Sequence, residues 1–520
     1  MHLDGVQYKV QYLVDRKTTS SYYTNEDGVA VIREFLKNVK QREGIIIIDP
    51  FMGSGVLLSS VHDLFKPSKV IGIEINKEPC KLAHKILSSL YQNVEIICDD
   101  AFKTAWKFKA DIILSNPPFV RWHLINNREE ILRIIQQKGY DKFITRNDPG
   151  LHILSFFLMD YILKEGGYMA LVMPASAFYT KQGEGLKKLL KIKYDILAIV
   201  ENKRNPAFSS GSGFKELILF LRKKENTLFP NSTETDIFQW NGKLNKIGSI
   251  NLVNLPKFAD RNWLSVFDMD MVKKLIKIIE EGLERGLLRF LKKNEILRGI
   301  EMYGPDFFFL PNKYWKIIGE DEEYKVIRNV ENSTKLRIPS QYLIECLRKP
   351  EYYKQIEIKN ADFYALAIND EPSGDLQQYI EWGEKLNIPA LQFGKYWYKH
   401  IWNQLKSKKP YGHIFIHDKI DMRTHDVLAN YSKRPLCASK DFYIIKEDNP
   451  LIVAWYNSSI MKILLKTFSR RISETWTRFL EEDYLAIPIP SKIVSEIDFN
   501  NIDTTIEKYL EIDIKKLRKF

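Results

Sequence analysis

The stretch Ile45-Ile46-Ile47-Ile48-Asp49-Pro50-Phe51-Met52-Gly53-Ser54-Gly55 decides how this chain folds. Four β-branched residues in a row suit a strand buried on both faces. They run into a turn with two glycines, and Val56 to Leu64 behind it can be helical. Strand, glycine loop and helix form the opening unit of an α/β sheet. Gly53 and Gly55 let the backbone adopt positive φ and approach a ligand closely, and the helix N-terminus behind them carries partial positive charge.

Outward from this unit the alternation continues. Lys69 to Ile75 (KVIGIEI) is the next strand, Lys77 to Tyr91 a helix, Val94 to Cys98 a third strand and Asp111 to Leu114 a fourth. Leu151 to Lys164 has helical character, Tyr168 to Met173 is a fifth strand, and Asp195 to Val200 and Glu216 to Leu221 complete seven. Such alternation predicts a mostly parallel sheet covered by helices on both faces, with its ligand beyond the carboxyl ends of the strands.

The residues that carry chemistry all fall at those ends. Glu74 closes the second strand, where a carboxylate can take both hydroxyls of a ribose. Asp99-Asp100-Ala101-Phe102 closes the third, offering a carboxylate to an adenine amino group and an apolar side chain to its ring. Asn116-Pro117-Pro118-Phe119 closes the fourth. Each has a bland reading as turn or helix-start chemistry. Four in order at successive strand ends are harder to explain as turns than as one site.

The last of them suggests a reaction. The lone pair of an exocyclic base amine is delocalised into the ring, so a group that methylates it must accept hydrogen bonds from both amine hydrogens. The Asn116 side-chain oxygen and the Pro117 carbonyl are suited to this. Two prolines fix φ and remove backbone donors, and Phe119 offers a flat face to a base.

Composition bounds the rest. The 520 residues suffice for two or three domains, and 45% hydrophobic with 28% charged residues is ordinary for a globular protein. Apolar runs such as Ile45 to Ile48 are far shorter than the roughly 20 residues a membrane helix needs. The first twenty residues lack the apolar centre of a signal peptide, so a cytoplasmic protein without a membrane partner is expected. The four cysteines, Cys80, Cys98, Cys346 and Cys437, have no CxxC spacing and support neither a disulfide framework nor a zinc site. His413 and His417 read as satisfied imidazoles on a strand with His425 nearby, and no metal is expected.

A formal charge of +12 favours a polyanionic partner. From Pro389 to Ser473 there are 15 Lys and Arg against 6 Asp and Glu, interleaved with Tyr396, Trp397, Tyr398, Trp402, Tyr411, Phe442 and Tyr443. Bases mixed with aromatics point to nucleic acid. Lys395, Lys399, Lys408, Lys409, Arg423, Lys433, Arg434, Arg470 and Arg471 are the expected DNA contacts. The domain organisation reads as a catalytic domain over 1–255, a connecting helical segment over 256–294 and a recognition domain of mixed α+β character over 295–520.

Together, Ser21-Tyr22-Tyr23-Thr24, Asp49 to Gly55, Glu74, Asp100 and Asn116 to Phe119 resemble, in this order, the gamma class of S-adenosylmethionine-dependent DNA amino-methyltransferases. The likeness covers roughly residues 18 to 225. It includes Gly166-Gly167-Tyr168-Met169 up to Pro174, and Asn205-Pro206-Ala207-Phe208, similar to the family's eighth motif. The resemblance implies a Rossmann-like class I methyltransferase domain with a mostly parallel seven-stranded sheet, followed by a target-recognition domain. It implies S-adenosylmethionine as cofactor, with Tyr23, Thr24, Asp49, Phe51, Gly53, Gly55, Glu74, Ile75, Asp100, Ala101 and Asn116 in contact with it. Ala101 stands where some members carry an aromatic, which leaves the apolar cover to it or to Phe102. Asn116, Pro117, Pro118 and Phe119 become the catalytic turn, and Phe119 and Phe208 the aromatic faces around a base flipped out of duplex DNA.

Asn at the first motif position and Phe at the fourth look more like enzymes of adenine N6 than of cytosine N4. Both remain open, as does an RNA amino-methyltransferase. A protein-glutamine methyltransferase shares the amine chemistry but leaves the basic, aromatic C-terminal part idle. A DNA-binding module with a degenerate sheet domain is disfavoured by intact Gly53, Gly55, Glu74 and Asn116. Pro79-Cys80 sits too early for a base-carbon nucleophile, and Glu357-Ile358-Lys359 lacks the upstream Asp of a nuclease. Cleavage, if it accompanies this chain, is expected to be the work of a separate cognate restriction endonuclease, and the chain is expected to act as a monomer.

Overall fold

The computed structural model describes residues 23–39, 43–145, 149–225, 233–421, 427–470, 476–514 and 517. The chain divides into two compact units, Met1–Val272 and Lys273–Phe520. The division falls inside the helix Met269–Glu284, within the segment 256–294 that the sequence marks as a helical connection. No helix among the described residues is long and apolar enough to cross a membrane.

The first unit runs α1 (Glu26–Leu36), β1 (Ile46–Asp49), α2 (Val56–Ser60), β2 (Lys69–Ile73), α3 (Lys77–Leu90), β3 (Val94–Ile97), α4 (Ala101–Thr104) and β4 (Ala110–Ser115). It continues with α5 (Arg128–Gln137), α6 (Leu151–Ile162), β5 (Leu163–Pro174), α7 (Glu184–Lys193), β6 (Tyr194–Asn202), β7 (Glu216–Lys223), β8 (Thr235–Trp240) and β9 (Leu244–Ile250). The strands form one sheet of order β3-β2-β1-β4-β5-β7-β6-β8-β9. The expected seven strands are all present, and β8 and β9 extend them to nine. β3, β2, β1, β4 and β5 run parallel in succession, whereas β7 runs antiparallel to both β5 and β6.

Chain order moves outward from β1 to β3 on one side and from β4 on the other, so the switch point lies between β1 and β4. Ile47 and Ile48 are fully buried, which is why this strand is apolar without alternation. Ile47 packs in one core with Leu114, Ala170 and Phe220 of the sheet and Val31, Leu57 and Leu87 of the helices. α6 ends sooner than its sequence suggested, because Leu163 already pairs with Ala110 at the start of β5. Near its end, the fully buried Asp160 accepts from Tyr140 Oη at 2.5 Å, Tyr194 Oη at 2.7 Å and Lys193 Nζ at 2.7 Å.

One sequence expectation about the cysteines fails. Cys80 in the first turn of α3 and Cys98 just after β3 form a disulfide. The parallel pairing of β2 with β3 brings them together, a proximity that a spacing of 18 residues does not announce.

The second unit is mixed α+β. Its seven-stranded sheet is built on Tyr411–His417, which runs antiparallel to both Ala429–Ala438 and Phe442–Ile445. A separate three-stranded antiparallel sheet comprises Trp315–Glu320, Tyr324–Asn329 and Lys335–Pro339. Phe307, Trp315, Tyr379 and Trp397 are buried in one core there. His413 meets the Ser432 carbonyl at 2.9 Å and His417 the Asn430 side-chain oxygen at 2.8 Å, while His425 lies outside the described residues.

Candidate active site

β1 delivers Asp49 to the switch point and the glycine turn follows. Gly53 has φ 55° and Gly55 φ 78°, values that favour glycine. A Cβ on Gly53 would meet the Tyr23 ring at 2.7 Å, so the loop and Tyr23 leave room for no side chain. Glu74, two residues beyond the last Cα pair of β2 with β1, accepts the Gly53 N–H at 3.0 Å through Oε2 and the Asn76 N–H at 2.8 Å through Oε1. The carboxylate therefore fixes the loop as well as facing the site. Asp49 accepts from the Phe51 N–H at 3.0 Å and from Ser115 Oγ at 2.8 Å. Burial pushes its pKa up to about 7 against these hydrogen bonds, with Glu74 adding repulsion, and burial raises Glu74 as well.

At the next strand end, Asp100 Oδ1 caps α4 by accepting the Phe102 N–H at 2.8 Å, and Oδ2 accepts from Asn127 Nδ2 at 3.2 Å. These groups line a cavity of about 310 Å³. Tyr23, Thr24, Asp49, Phe51, Gly53, Glu74, Ile75, Asp100, Ala101 and Asn116 all contribute to its wall. Gly55 does not; a Cβ there would press on Leu87 and Ala83 of α3 instead. Phe102 and Ala101 are both buried in the wall, and Ile75 is 64% exposed at the rim. Carboxylates at three strand ends around an apolar floor, with a loop that admits no Cβ, fit a cationic nucleoside cofactor.

Asn116 lines this cavity, and the turn it opens continues to a second one. Its Nδ2 donates to Ser209 Oγ at 2.9 Å and to Thr24 Oγ1 at 3.2 Å. Pro118 lines the first cavity, Phe119 the second, and Val120 both. The second has a volume of about 600 Å³, with Trp122, His152, Pro174 and Phe214 in its wall. His152 lies edge-on to Phe119, ring centres 6.3 Å apart, and burial lowers its pKa to about 4, so the imidazole is neutral near pH 7.

Residues 8–262 match the N-6 DNA Methylase family. The chain belongs to that family. Among its relatives is the type II methyltransferase M.BanIII of Aneurinibacillus aneurinilyticus, 23% identical over 62% of this chain and 55% of that protein. The type II methyltransferase M.AccI of Acinetobacter calcoaceticus is 21% identical over 76% of this chain and 71% of its own length. A release factor glutamine methyltransferase of Fusobacterium nucleatum is 30% identical over 34% of this chain and 49% of its own. The chain thus spans about half the length of M.BanIII and of the glutamine methyltransferase.

Within the methylase fold, one aromatic expected at the site is elsewhere. Phe208 is fully buried in the core beside Val31 and Phe220, so no base can reach its face. The antiparallel bridge of Thr24 with Ser209 draws this part of the β6–β7 connection under α1. Phe214, later in the same connection and 48% exposed, is the aromatic that shares a cavity wall with Phe119. Pro117 is buried and lines neither cavity. Sequence reasoning also missed Asn127, His152, Ser209 and Glu216; only a polar residue beside the eighth-motif likeness hinted at Ser209.

The expected DNA contacts of the second unit separate into two groups. Lys433 lies 3.7 Å from Glu357 and Arg434 2.5 Å from Glu345, and the buried Arg470 contacts Glu482 at 3.0 Å and Asp483 at 3.1 Å. Lys395, Lys399 and Lys409 have no carboxylate within ion-pair distance among the described residues, nor has Lys408, which donates to Gln404 at 3.2 Å. Lys395 and Lys399 each place Nζ 5.3 Å from the Tyr396 ring centre. Arg423, Arg471, Ser21 and Tyr22 lie outside the described residues.

Proposed function

We propose that this chain transfers the methyl group of S-adenosylmethionine to the exocyclic N6 amine of adenine in duplex DNA, on a base turned out of the helix. One observation carries the reading: the Asn116 amide, its nitrogen held by two hydroxyls, lines the carboxylate-lined cavity, and the turn it opens runs on through Val120, which lines both cavities, with Phe119 in the wall of the aromatic one. When bound, the cofactor supplies a methyl on a sulfonium; the amine nitrogen forms the new bond to carbon, the carbon–sulfur bond breaks with its electrons on sulfur, and the methylated amine then gives a proton to water.

The chain's own residues do the positioning. Glu74 and Asp100 take the ribose and adenine ends of the cofactor, and ionised Asp49 compensates its cationic end. Asn116 accepts a hydrogen of the target amine, which localises the lone pair on nitrogen. Phe119 and Phe214 receive the ring, returning roughly 1–3 kcal/mol per stacked base against the few kcal/mol that flipping costs. His152, neutral, adds no charge beside the base.

The second unit brings the polymer. Residues 385–417 hold six lysines and no Asp or Glu. Tyr303 at 40%, Phe393 at 47% and Tyr396 at 48% exposure set large rings at the surface near them in sequence or in space, Tyr303 and Phe393 being 5.2 Å apart. Lysines without carboxylate partners suit phosphates, and exposed rings suit sugars and bases. The likeness to M.AccI spans more of the chain than the first unit holds, whereas that to the glutamine methyltransferase needs only a third of it, which favours DNA over a protein amide.

The test is transfer of a labelled methyl to duplex DNA, rRNA and a glutamine-bearing peptide in parallel, followed by identification of the labelled base. N6-methyladenine in DNA is the expected product. Label in RNA or peptide with none in DNA overturns the reading, and N4-methylcytosine overturns the choice of base.

A further inference from the structure

Two segments far apart in sequence meet beside Asn116. The Asn25 N–H donates to the Phe208 carbonyl at 2.8 Å and the Ser210 N–H to the Tyr23 carbonyl at 2.8 Å, with Thr24 directly opposite Ser209. This short ladder sets the two hydroxyls side by side, where Asn116 Nδ2 donates to both. An amide nitrogen carries two hydrogens, and both are engaged.

The hydroxyl of Ser209 is itself oriented. Its single hydrogen goes to Glu216 Oε2 at 2.8 Å. Towards Asn116 it can therefore present only lone pairs. Turning the Asn116 amide over would set its oxygen against those lone pairs, so one of the two amide orientations is excluded. Glu216 is fully buried at the start of β7, and the same Oε2 also accepts the Phe208 N–H at 2.8 Å. Two donors converging on one oxygen hold the carboxylate in place.

We propose that Ser209 and Glu216 are positioning residues: a hydroxyl and a buried carboxylate that lock the Asn116 amide with its oxygen as the acceptor offered to the substrate amine. The proposal rests on the role given to Asn116 above. Its physical content exceeds orientation, because hydrogen bonds in a chain polarise one another. The carboxylate draws the Ser209 hydrogen, the hydroxyl becomes a better acceptor for Nδ2–H, and electron density moves towards Asn116 Oδ1. That is where positive charge on the reacting amine is met.

The experiment measures labelled-methyl transfer on duplex DNA, rRNA and a glutamine-bearing peptide for the full chain and for Ser209→Ala, Ser209→Thr and Glu216→Gln. For Ser209→Ala we expect kcat to fall about 10- to 100-fold. Cofactor Kd and substrate KM should stay within about threefold at temperatures well below the melting transition, which loss of a donor to the buried carboxylate lowers. Ser209→Thr, which returns the hydroxyl, should recover kcat to within about threefold. Glu216→Gln, which removes only the charge, should lower kcat without moving KM. An unchanged kcat in Ser209→Ala overturns the proposal, as does a loss shared equally by kcat, KM and cofactor Kd, or one that Ser209→Thr does not restore. If the wild-type chain labels RNA or peptide and not DNA, the substrate reading fails and the relay is judged on that acceptor; if it labels none of the three, both fail.

Discussion

Asn116 donates to Ser209 Oγ across 2.9 Å, although 93 residues separate them in sequence. The contact joins the turn after β4 to the connection between β6 and β7, and it makes the identity of the Asn116 side chain demanding. An aspartate there would replace the donating nitrogen by an oxygen facing the lone pairs of Ser209, with Glu216 behind.

Asn116→Ala should abolish detectable methyl transfer while cofactor Kd stays within several-fold of wild type, since the cofactor cavity keeps its carboxylates. Asn116→Asp should be as inactive and also melt lower, because it buries a like charge near Glu216. Transfer assays, calorimetric titration of the cofactor and melting curves check both. A cofactor Kd that collapses in Asn116→Ala would show the residue to be a cofactor ligand and not the amine acceptor.

Phe208 and Phe214 should separate cleanly. Truncating the buried Phe208 to Ala costs about 3–5 kcal/mol of stability by opening a core cavity. Phe214→Ala leaves the melting curve in place and lowers turnover about 10-fold by removing one stacking face. Denaturant unfolding and steady-state kinetics on the two variants decide it; Phe214→Ala with wild-type turnover removes that ring from the site.

These two phenylalanines also mark where the sequence stops being legible. The places of Asp49 with Gly53, of Glu74 and of Asp100 are legible because they follow the ends of β1, β2 and β3, and strand ends in a parallel sheet share one edge. The side on which a phenylalanine of the β6–β7 connection lies depends on the bridge of Ser209 with Thr24, a contact that no local pattern encodes. The same holds for Glu216, whose place at the start of an apolar strand reads as a boundary residue, and for Cys80 and Cys98, joined only because β2 and β3 are neighbours. β8 belongs to the sheet through pairing with β6, and β9 through pairing with β8, which their modest apolar content did not require.

Lys395 and Lys399 should dominate the salt dependence of DNA binding. Each phosphate contact contributes about 0.9 to the slope of log K against log salt, so Lys395→Ala with Lys399→Ala should lower the slope by about 2. Lys433→Ala with Arg434→Ala should leave it nearly unchanged, because those cations already face Glu357 and Glu345. Fluorescence anisotropy of a labelled duplex across a salt series makes the comparison. Equal slopes for the two double variants would remove Lys395 and Lys399 from the DNA interface.

Asp49 should give cofactor affinity and stability opposite pH dependences. Burial holds its folded pKa at about 7, above the ordinary 3.8 that it regains on unfolding. Between these values the folded chain binds the extra proton, so without ligand this group's contribution to stability grows as pH falls below 7 and is lost as pH rises through 7, by up to about 1.4 kcal/mol per unit. A cationic ligand selects the ionised form, so cofactor affinity should rise with pH up to about 7, at most tenfold per unit, and then level off. Asp49→Asn removes the group's share of both slopes while preserving its size. Melting curves and cofactor titrations from pH 5 to 8 on wild type and Asp49→Asn isolate this residue from other groups that titrate nearby, and parallel profiles for the two proteins would show that Asp49 carries no ionisable role in the cavity.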